Sequence, residues 1–510
     1  MRALVPADSL VYLETNDLAA ALQPIVDSKP FLDVATSKPD FSALKGVQLA
    51  VAVTGFETSE EKLTDEHSIG RIQPHFVAVA DTHAWNFQAV GFAEKKLGSF
   101  VANIYDGEPT LERADKNGGK YFTWSSKDGR KAYALVIDSI IYFANDSTAI
   151  EKCLAVKRGE TDSIAKAGKV AASAPETLAS GYVGPDGIAQ IASLIGLKFA
   201  SEIGEESEVQ SAIAGIVPQL IRNCVTDVSW RSTRSEKGIE DEYTIGMPAE
   251  VARVFSETMM VGDRSQSAYA NEIVAQLPAS TSVATRYNLK DPRVSWRSAL
   301  LVAQKNTDPL AAKVISAFSG LLFEPYGIKD PDLFLSSFND KSIPQSNIVT
   351  AKVDPQTEGS AVVAFVADTQ IARKALSPEL RPPKVLNEDG LNVWSTEDGE
   401  IQAAFYYQLL KIASKDDLPK LNASQHAELT EIRTDQLRQL ATSDAPIVTV
   451  GRDLTSAKQI VELFSVATRD DIVGIEKYFT ETRFTKTGID RRTTSDLGLI
   501  GSIIAQLNDN

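Results

Sequence analysis

"WSSKDG" runs from Trp124 to Gly129, and "WSTEDG" runs from Trp394 to Gly399. The two stretches stand 270 residues apart in a chain of 510. Each reads as a strand end and a tight turn. A large aromatic suits a half-buried strand, glycine enters left-handed backbone freely, and aspartate hydrogen-bonds its own turn. Together they point to a chain that repeats itself.

The neighbours of these stretches recur in the same order. "VAVADT" at Val77–Thr82 precedes the first, and "AFVADT" at Ala364–Thr369 precedes the second. Earlier come "LVPADSLVYLETND" from Leu4 and "QLPASTSVATRYNL" from Gln276. Pro6 lies 118 residues before Trp124, and Pro278 lies 116 before Trp394. Downstream, "SGYVGPDGIAQIASLI" from Ser180 resembles "PIVTVGRDLTSAKQIVELF" from Pro446. Last, Gly238-Ile239 and Gly488-Ile489 each follow a polar turn. Five landmarks in one order read as a tandem duplication. The expected organisation is a first α+β repeat over 1–262, a helical linker over 263–277 and a second α+β repeat over 278–510.

Within each repeat, short strands joined by tight turns predict an antiparallel meander packed by helices, an α+β pattern rather than a doubly wound parallel sheet. "SLVYLET" predicts a strand and "DLAAALQPIV" a helix. A helix is expected over Ala84–Leu97, capped by Thr82 or Asp81, and another near Thr148, with Thr148 and Glu151 as a capping box. The repeated tryptophans are expected on the helix side of their sheets, and Asp128 and Asp398 in turns.

Composition narrows the function. Net charge is -16, with the acidity spread along the chain, so phosphate backbones are repelled and no nucleic-acid partner is expected. No apolar run approaches the roughly 20 residues of a membrane helix, so membrane attachment is expected only through a leader or anchor absent from this chain. Two cysteines, Cys153 and Cys224, are too few for a thiolate metal site and read as small buried residues, with a Cys153–Cys224 bridge as the alternative.

Sequence motifs name no catalytic, cofactor-binding or metal-binding residue, and no cofactor is expected. The S-x-x-K at Ser59–Lys62 lies in an acidic, loop-like stretch that would not lower a lysine pKa. His67, His75 and His83 are eight apart, too far along a strand to meet unless the chain folds back, and read as surface residues. Glu205, Glu206 and Glu208 read as a solvated helix start.

The opening "LVPADSLVYLETND" resembles an uncharacterised bacterial family of exported or membrane-anchored proteins, a domain of unknown function that opens LPAD-x-x-x-Y. Val5, Pro6, Ala7, Asp8, Tyr12 and Asp17 carry the likeness. In the second repeat Ser280 stands where Asp8 does. The resemblance implies a cell-envelope, periplasmic or extracellular location; a chain complete as numbered would instead be cytoplasmic. No site residues come with it.

The expected function is that of a non-enzymatic extracytoplasmic binding or scaffold protein, its partner an unknown protein or an apolar ligand. One alternative is a lipid or apolar-ligand binder. Its motive is apolar helical sequence such as "DPLAAKVISAFSGLLF" at Asp308–Phe323, which would cover a sheet and leave a cavity. The other is a hydrolase with a cleft of convergent polar residues and displaced pKa values.

Overall fold

A computed structural model describes residues 1–34, 38–62, 68–105, 107–168, 170, 176–202, 208–261, 273–274, 276–277, 281–338, 346–352, 360–380, 392–395, 401–406, 408–414, 431–452 and 477–507. The fold is α+β, with mixed helix and antiparallel sheet. The described residues of Met1–Tyr243 and Leu497–Asn510 form one compact unit, and those of Thr244–Thr455 and Ile472–Asp496 form a second. Among the described residues, no helix is long and apolar enough to cross a membrane.

The first unit contains β1 (Val11–Thr15), β2 (Gln48–Lys62), β3 (Ser68–Asp81), β4 (Thr110–Lys116), β5 (Gly119–Ser125), β6 (Lys131–Ile137), β7 (Ile140–Ala144), β8 (Thr177–Val183), β9 (Asp227–Ser235) and the start of β10 (Gly238–Gly246). Antiparallel pairing sets the order β4-β5-β6-β7-β3-β2-β1-β8-β9, and β10 pairs with β9. Its helices are α1 (Leu18–Val26), α2 (Lys29–Val34), α3 (Asn86–Phe92), α4 (Gly98–Ile104), α5 (Ser147–Lys157), α6 (Ile164–Ala167), α7 (Pro185–Glu202) and α8 (Glu208–Cys224). A π-helical turn at Ala93–Leu97 joins α3 to α4. Strand alternation sorts side chains onto two faces. One face buries Tyr12, Ala50, Val77, Val79 and Tyr142 beneath Ile150, Cys153 and Leu154 of α5. The other buries Phe122, Trp124, Ala134 and Ile141 beneath Ala89, Ala93 and Val101.

The second unit contains β11 (Val283–Leu289), β12 (Ser346–Lys352), β13 (Ser360–Phe365), β14 (Asn392–Ser395), β15 (Ile401–Tyr406), β16 (Leu409–Ser414), β17 (Ile447–Arg452), β18 (Lys477–Thr485) and β19 (Gly488–Ser495). Their antiparallel order is β14-β15-β16-β13-β12-β11-β17-β18-β19. Strand for strand, this is the order found from β5 to β10 in the first unit. The helices are α9 (Ala249–Thr258), α10 (Pro292–Lys305), α11 (Pro309–Phe318), α12 (Pro331–Ser336), α13 (Thr369–Ala375) and α14 (Glu431–Thr442). On one face α14 lays Leu437, Leu440 and Ala441 over Val349, Val363 and Val448. On the other, Phe334, Leu335 and Ala372 from α12 and α13 cover Ile348, Val362 and Ile412.

Helices cover both faces of each sheet, so no one face is the helix side; Trp124 lies on the face beneath α3 and α4, and Trp394 on the face beneath α12 and α13. Trp124 is 2% exposed and stacks on Phe122 with centroids 5.8 Å apart. Trp394 meets Phe405 edge-on at 5.4 Å, and the Arg373 guanidinium of α13 sits 4.3 Å from its ring centre. A cation over an indole face is attracted by the ring quadrupole. In the first turn Gly129 takes φ +89°, and Asp128 Oδ1 accepts from Arg130 N at 3.2 Å. Thr396–Gly399, with Asp398, lie outside the described residues.

Several local expectations need correction. The helix expected from Ala84 begins at Asn86, and neither Asp81 nor Thr82 caps it. Their side chains accept from His83 N and Ala84 N instead, bonds that keep the chain in a loop. In the second unit Asp368 does cap, accepting from Gln370 N at 2.8 Å and Ile371 N at 3.0 Å. Helix α5 is capped by Asp146, which accepts from Thr148 N at 3.0 Å, so Thr148 is the second residue of the helix and not its cap. The acidic stretch holding Ser59 and Lys62 is the end of β2, not a loop. Strand β4 was not anticipated; its side chains are almost all exposed, so it carries no apolar alternation to read.

The two closing helices are exchanged with respect to the sequence repeats. Helix α9 falls within the span read as the first repeat, yet it belongs to the second unit, where Phe255 packs on Phe484 at 5.8 Å. Helix α15 (Gly498–Leu507) falls within the span read as the second repeat, yet it belongs to the first unit. Its start is held by Asp241, whose carboxylate accepts from Leu499 N at 2.8 Å and from Trp230 Nε1 at 3.0 Å.

Candidate functional site

The residues singled out by sequence do not assemble into a site. His75 Nε2 lies 3.2 Å from Glu57 Oε2 and its Nδ1 lies 3.3 Å from Asp146 Oδ2. His83 pairs with Asp81, and His67 is outside the described residues. Among the described residues no three histidine, cysteine or carboxylate side chains group as metal ligands. The side chains of Ser59, Lys62 and Glu208 are outside the described set, as are Glu205 and Glu206 entirely.

Cys153 and Cys224 are free thiols, so the alternative of a bridge between them is not realised. Burial pushes the Cys153 thiol up to about 12, and burial also raises Cys224. A thiol held protonated is a poor nucleophile. Native protein is therefore expected to leave Cys153 unlabelled by a thiol reagent. Both cysteines should label in denaturant without reductant, and a count of none there would show a disulfide instead.

The second unit holds a cavity of about 330 Å³. Its floor is the sheet face carrying Tyr287 of β11, Ile348 and Thr350 of β12, and Val362 of β13. Register brings them together: Tyr287 is opposite Ile348, and Thr350 is opposite Val362. Its roof begins with α10, whose Pro292, Ser295, Trp296 and Ala299 fall on one helical face at positions i, i+3, i+4 and i+7. Asp291 starts that helix by accepting from Val294 N at 3.0 Å. The 3₁₀ segment Ser319–Tyr326 supplies Leu322, Phe323 and Tyr326, with Phe323 edge-on to Trp296 at 5.1 Å. Leu322 is 66% exposed, so the lining reaches the surface there.

Among the described residues, the stretch "DPLAAKVISAFSGLLF" gives the lining only Leu322 and Phe323, while α11 itself gives none. Asp308 caps α11, accepting from Leu310 N at 2.9 Å and Ala311 N at 3.0 Å, and the chain then turns into the 3₁₀ segment over the sheet. The individual lining residues were not legible in advance. The helical spacing from Pro292 to Ala299 was the available signal for the roof; the floor required knowing which way β11 faces.

Polar groups in the cavity are few. Tyr287, Tyr326 and Thr350 each bring a hydroxyl-bearing side chain to the lining. Burial raises the pKa of both phenols, and interaction with the Thr350 hydroxyl opposes it. Ser295 Oγ is already engaged by the carbonyls of Thr258 and Asp291, at 2.7 and 2.9 Å.

The first unit has its own cavity, of about 360 Å³, on the sheet face that carries Trp124. Leu49, Ala80 and Ile141 form its floor, and Phe92 and Leu97 its roof. Its polar lining differs, with Lys45, Thr82 and Gln88.

Other buried ionisable groups with displaced pKa values lie elsewhere, in packed layers. Glu14 is buried in the first unit. Burial pushes its carboxyl up, but bonds from Arg2 Nε at 2.7 Å, Tyr12 Oη at 2.8 Å and Ser180 Oγ at 3.1 Å hold it below the ordinary value. In the second unit burial lowers Arg286 to about 10 and Lys411 to about 7. Comparison with protein-family models, with curated proteins and with solved structures finds no match to this chain.

Proposed function

We propose that this chain is a tandemly duplicated α+β binding protein whose second unit takes up an apolar small molecule. The observation that carries the reading is the cavity between α10, the Ser319–Tyr326 segment and the sheet. Its 330 Å³ falls within the ~300–1,000 Å³ typical of ligand sites, and aliphatic and aromatic side chains dominate its lining. The shared strand order of the two units supports the duplication. The likeness of the chain's opening to exported bacterial proteins supports an extracytoplasmic setting. Among the described residues no carboxylate, histidine, cysteine or lysine lines this cavity, whose displaced groups are the phenols Tyr287 and Tyr326, and such a lining suits binding better than hydrolysis.

The test is titration with N-phenyl-1-naphthylamine, a neutral dye that brightens in apolar surroundings, backed by native mass spectrometry of the chain purified from its own host. Ala299→Trp, which fills the cavity from its roof, is expected to weaken dye binding at least tenfold. Overpacking a site costs about 1–3 kcal/mol, so the variant should still fold. Unchanged dye binding in folded Ala299→Trp would put the dye elsewhere and defeat the reading.

A further inference from the structure

We propose that the cavity of the second unit selects a ligand whose buried part is uncharged and ends in one hydrogen-bonding group, such as an alcohol or a carbonyl on an apolar body. The inference rests on the binding reading above and names the ligand class for that same cavity.

Among the described residues, no side chain lining the cavity bears a charge. What it offers instead is a cluster of hydroxyl side chains: Tyr287, Tyr326 and Thr350 all line it. A hydroxyl both donates and accepts, so the cluster can rearrange to serve either an alcohol or a carbonyl. It cannot neutralise a carboxylate or an ammonium, and burying either one unpaired costs several kcal/mol. Burial holds both phenols in their protonated, neutral form at ordinary pH, so neither becomes a counter-charge.

The first two turns of helix α10 carry two cations, Arg293 and Arg297, but neither lines the cavity. Both are held by one carboxylate, with Arg293 Nη2 and Arg297 Nε each 2.6 Å from Asp332. Those two arginines hold the Asp332 carboxyl down at about 2. An anionic amphiphile would have to break that arrangement to use it.

The experiment is displacement of bound N-phenyl-1-naphthylamine at pH 8 by decan-1-ol, decanoate and decylammonium, three probes of one chain length. Decan-1-ol is expected to displace the dye at a concentration at least tenfold below either ion. Thr350→Val keeps the shape and removes the hydroxyl, and should weaken decan-1-ol about tenfold, the worth of a hydrogen bond near 1.4 kcal/mol. Decanoate displacing as well as the alcohol would overturn the neutral-ligand inference while leaving the cavity reading intact. Loss of decanoate binding in Arg293→Gln/Arg297→Gln would then locate its head at the Asp332 cluster. Equal displacement of the alcohol from Thr350→Val and the parent would overturn the role given to the hydroxyl cluster. If the dye itself fails to bind, or binds unaltered to Ala299→Trp, the cavity reading fails before the inference is reached.

Discussion

Lys411→Met should raise the stability of the second unit at pH 6 by about 2–4 kcal/mol, and at pH 10 by far less. Lys411 points from β16 into the layer between sheet and α14, fully buried beside Val363 and Ala404 in register. Its Nζ donates to Gln276 Oε1. Burial lowers its pKa to about 7, against an ordinary value of 10.5. Between those values the unfolded chain holds the proton and the folded chain has released it. Folding stability therefore increases as pH rises from about 7 to 10.5, and below 7 the full cost of a buried ammonium is present. Arg286 sits three strands away in the same cross-strand row, through Val349 and Val363, so the row contains a second buried cation. Methionine matches the length of lysine without the charge. Urea unfolding of parent and variant at pH 6, 8 and 10 measures the effect. A difference that stays flat across that range would mean that Lys411 does not titrate as its burial requires.

Asp241→Ala should cost the first unit about 3–5 kcal/mol, the range for breaking a buried polar network and leaving donors without an acceptor. Asp241 is 2% exposed and is the acceptor for the Trp230 indole and for the first turn of α15. Removing it strands two N–H groups in the core. It also frees a helix whose start is already tightly constrained: Gly498 has φ +66°, and a Cβ there would stand 2.4 Å from Ile239 Cγ2. Burial raises the Asp241 carboxyl above its ordinary 3.8, against the pull of its hydrogen bonds. In the window above 3.8 the folded state keeps a proton that the unfolded chain has lost, so this group's contribution falls as pH rises through that window. Asp241→Asn keeps the shape and should lose less than alanine at neutral pH. Limited proteolysis followed by mass spectrometry reads the outcome directly, since α15 should be clipped early in Asp241→Ala. Proteolysis at the parent's rate would count against Asp241 holding the start of α15.

Much of the fold was legible because its signals are local. Asp17 heads "LAAALQPIV" and caps α1 at Ala20 N, 2.9 Å away. Gly238 and Gly488, matched by their following isoleucines, both take positive φ, +126° and +152°, at the start of the second strand of a hairpin. Such positions favour glycine because a Cβ at Gly488 would lie 1.9 Å from the Ile245 carbonyl oxygen. The sites were less legible because they depend on which residues share a sheet row, and no local pattern encodes that. In one row the first unit has Glu14, Ala50, Val79 and Tyr142; in the row at the same strands the second has Arg286, Val349, Val363 and Lys411. The strand order is the same while the chemistry at these positions has changed sign or kind. A search for recurring catalytic residues finds nothing under those conditions, and neither does a search for a recurring ligand set.

The exchange of closing helices bears on how the chain is made. The sheet of the first unit emerges from the ribosome first, but Asp241 and Trp230 must wait for Leu499. At roughly 5–20 residues per second, synthesis of the intervening segment takes roughly ten to fifty seconds. Through that interval the groove that α15 fills, including the Ile25 side chain against which Gly501 packs, faces solvent or a chaperone. The first unit to be synthesised is thus the last to be completed. A stop codon at Leu499 should damage the first unit more than the part adjoining the truncation.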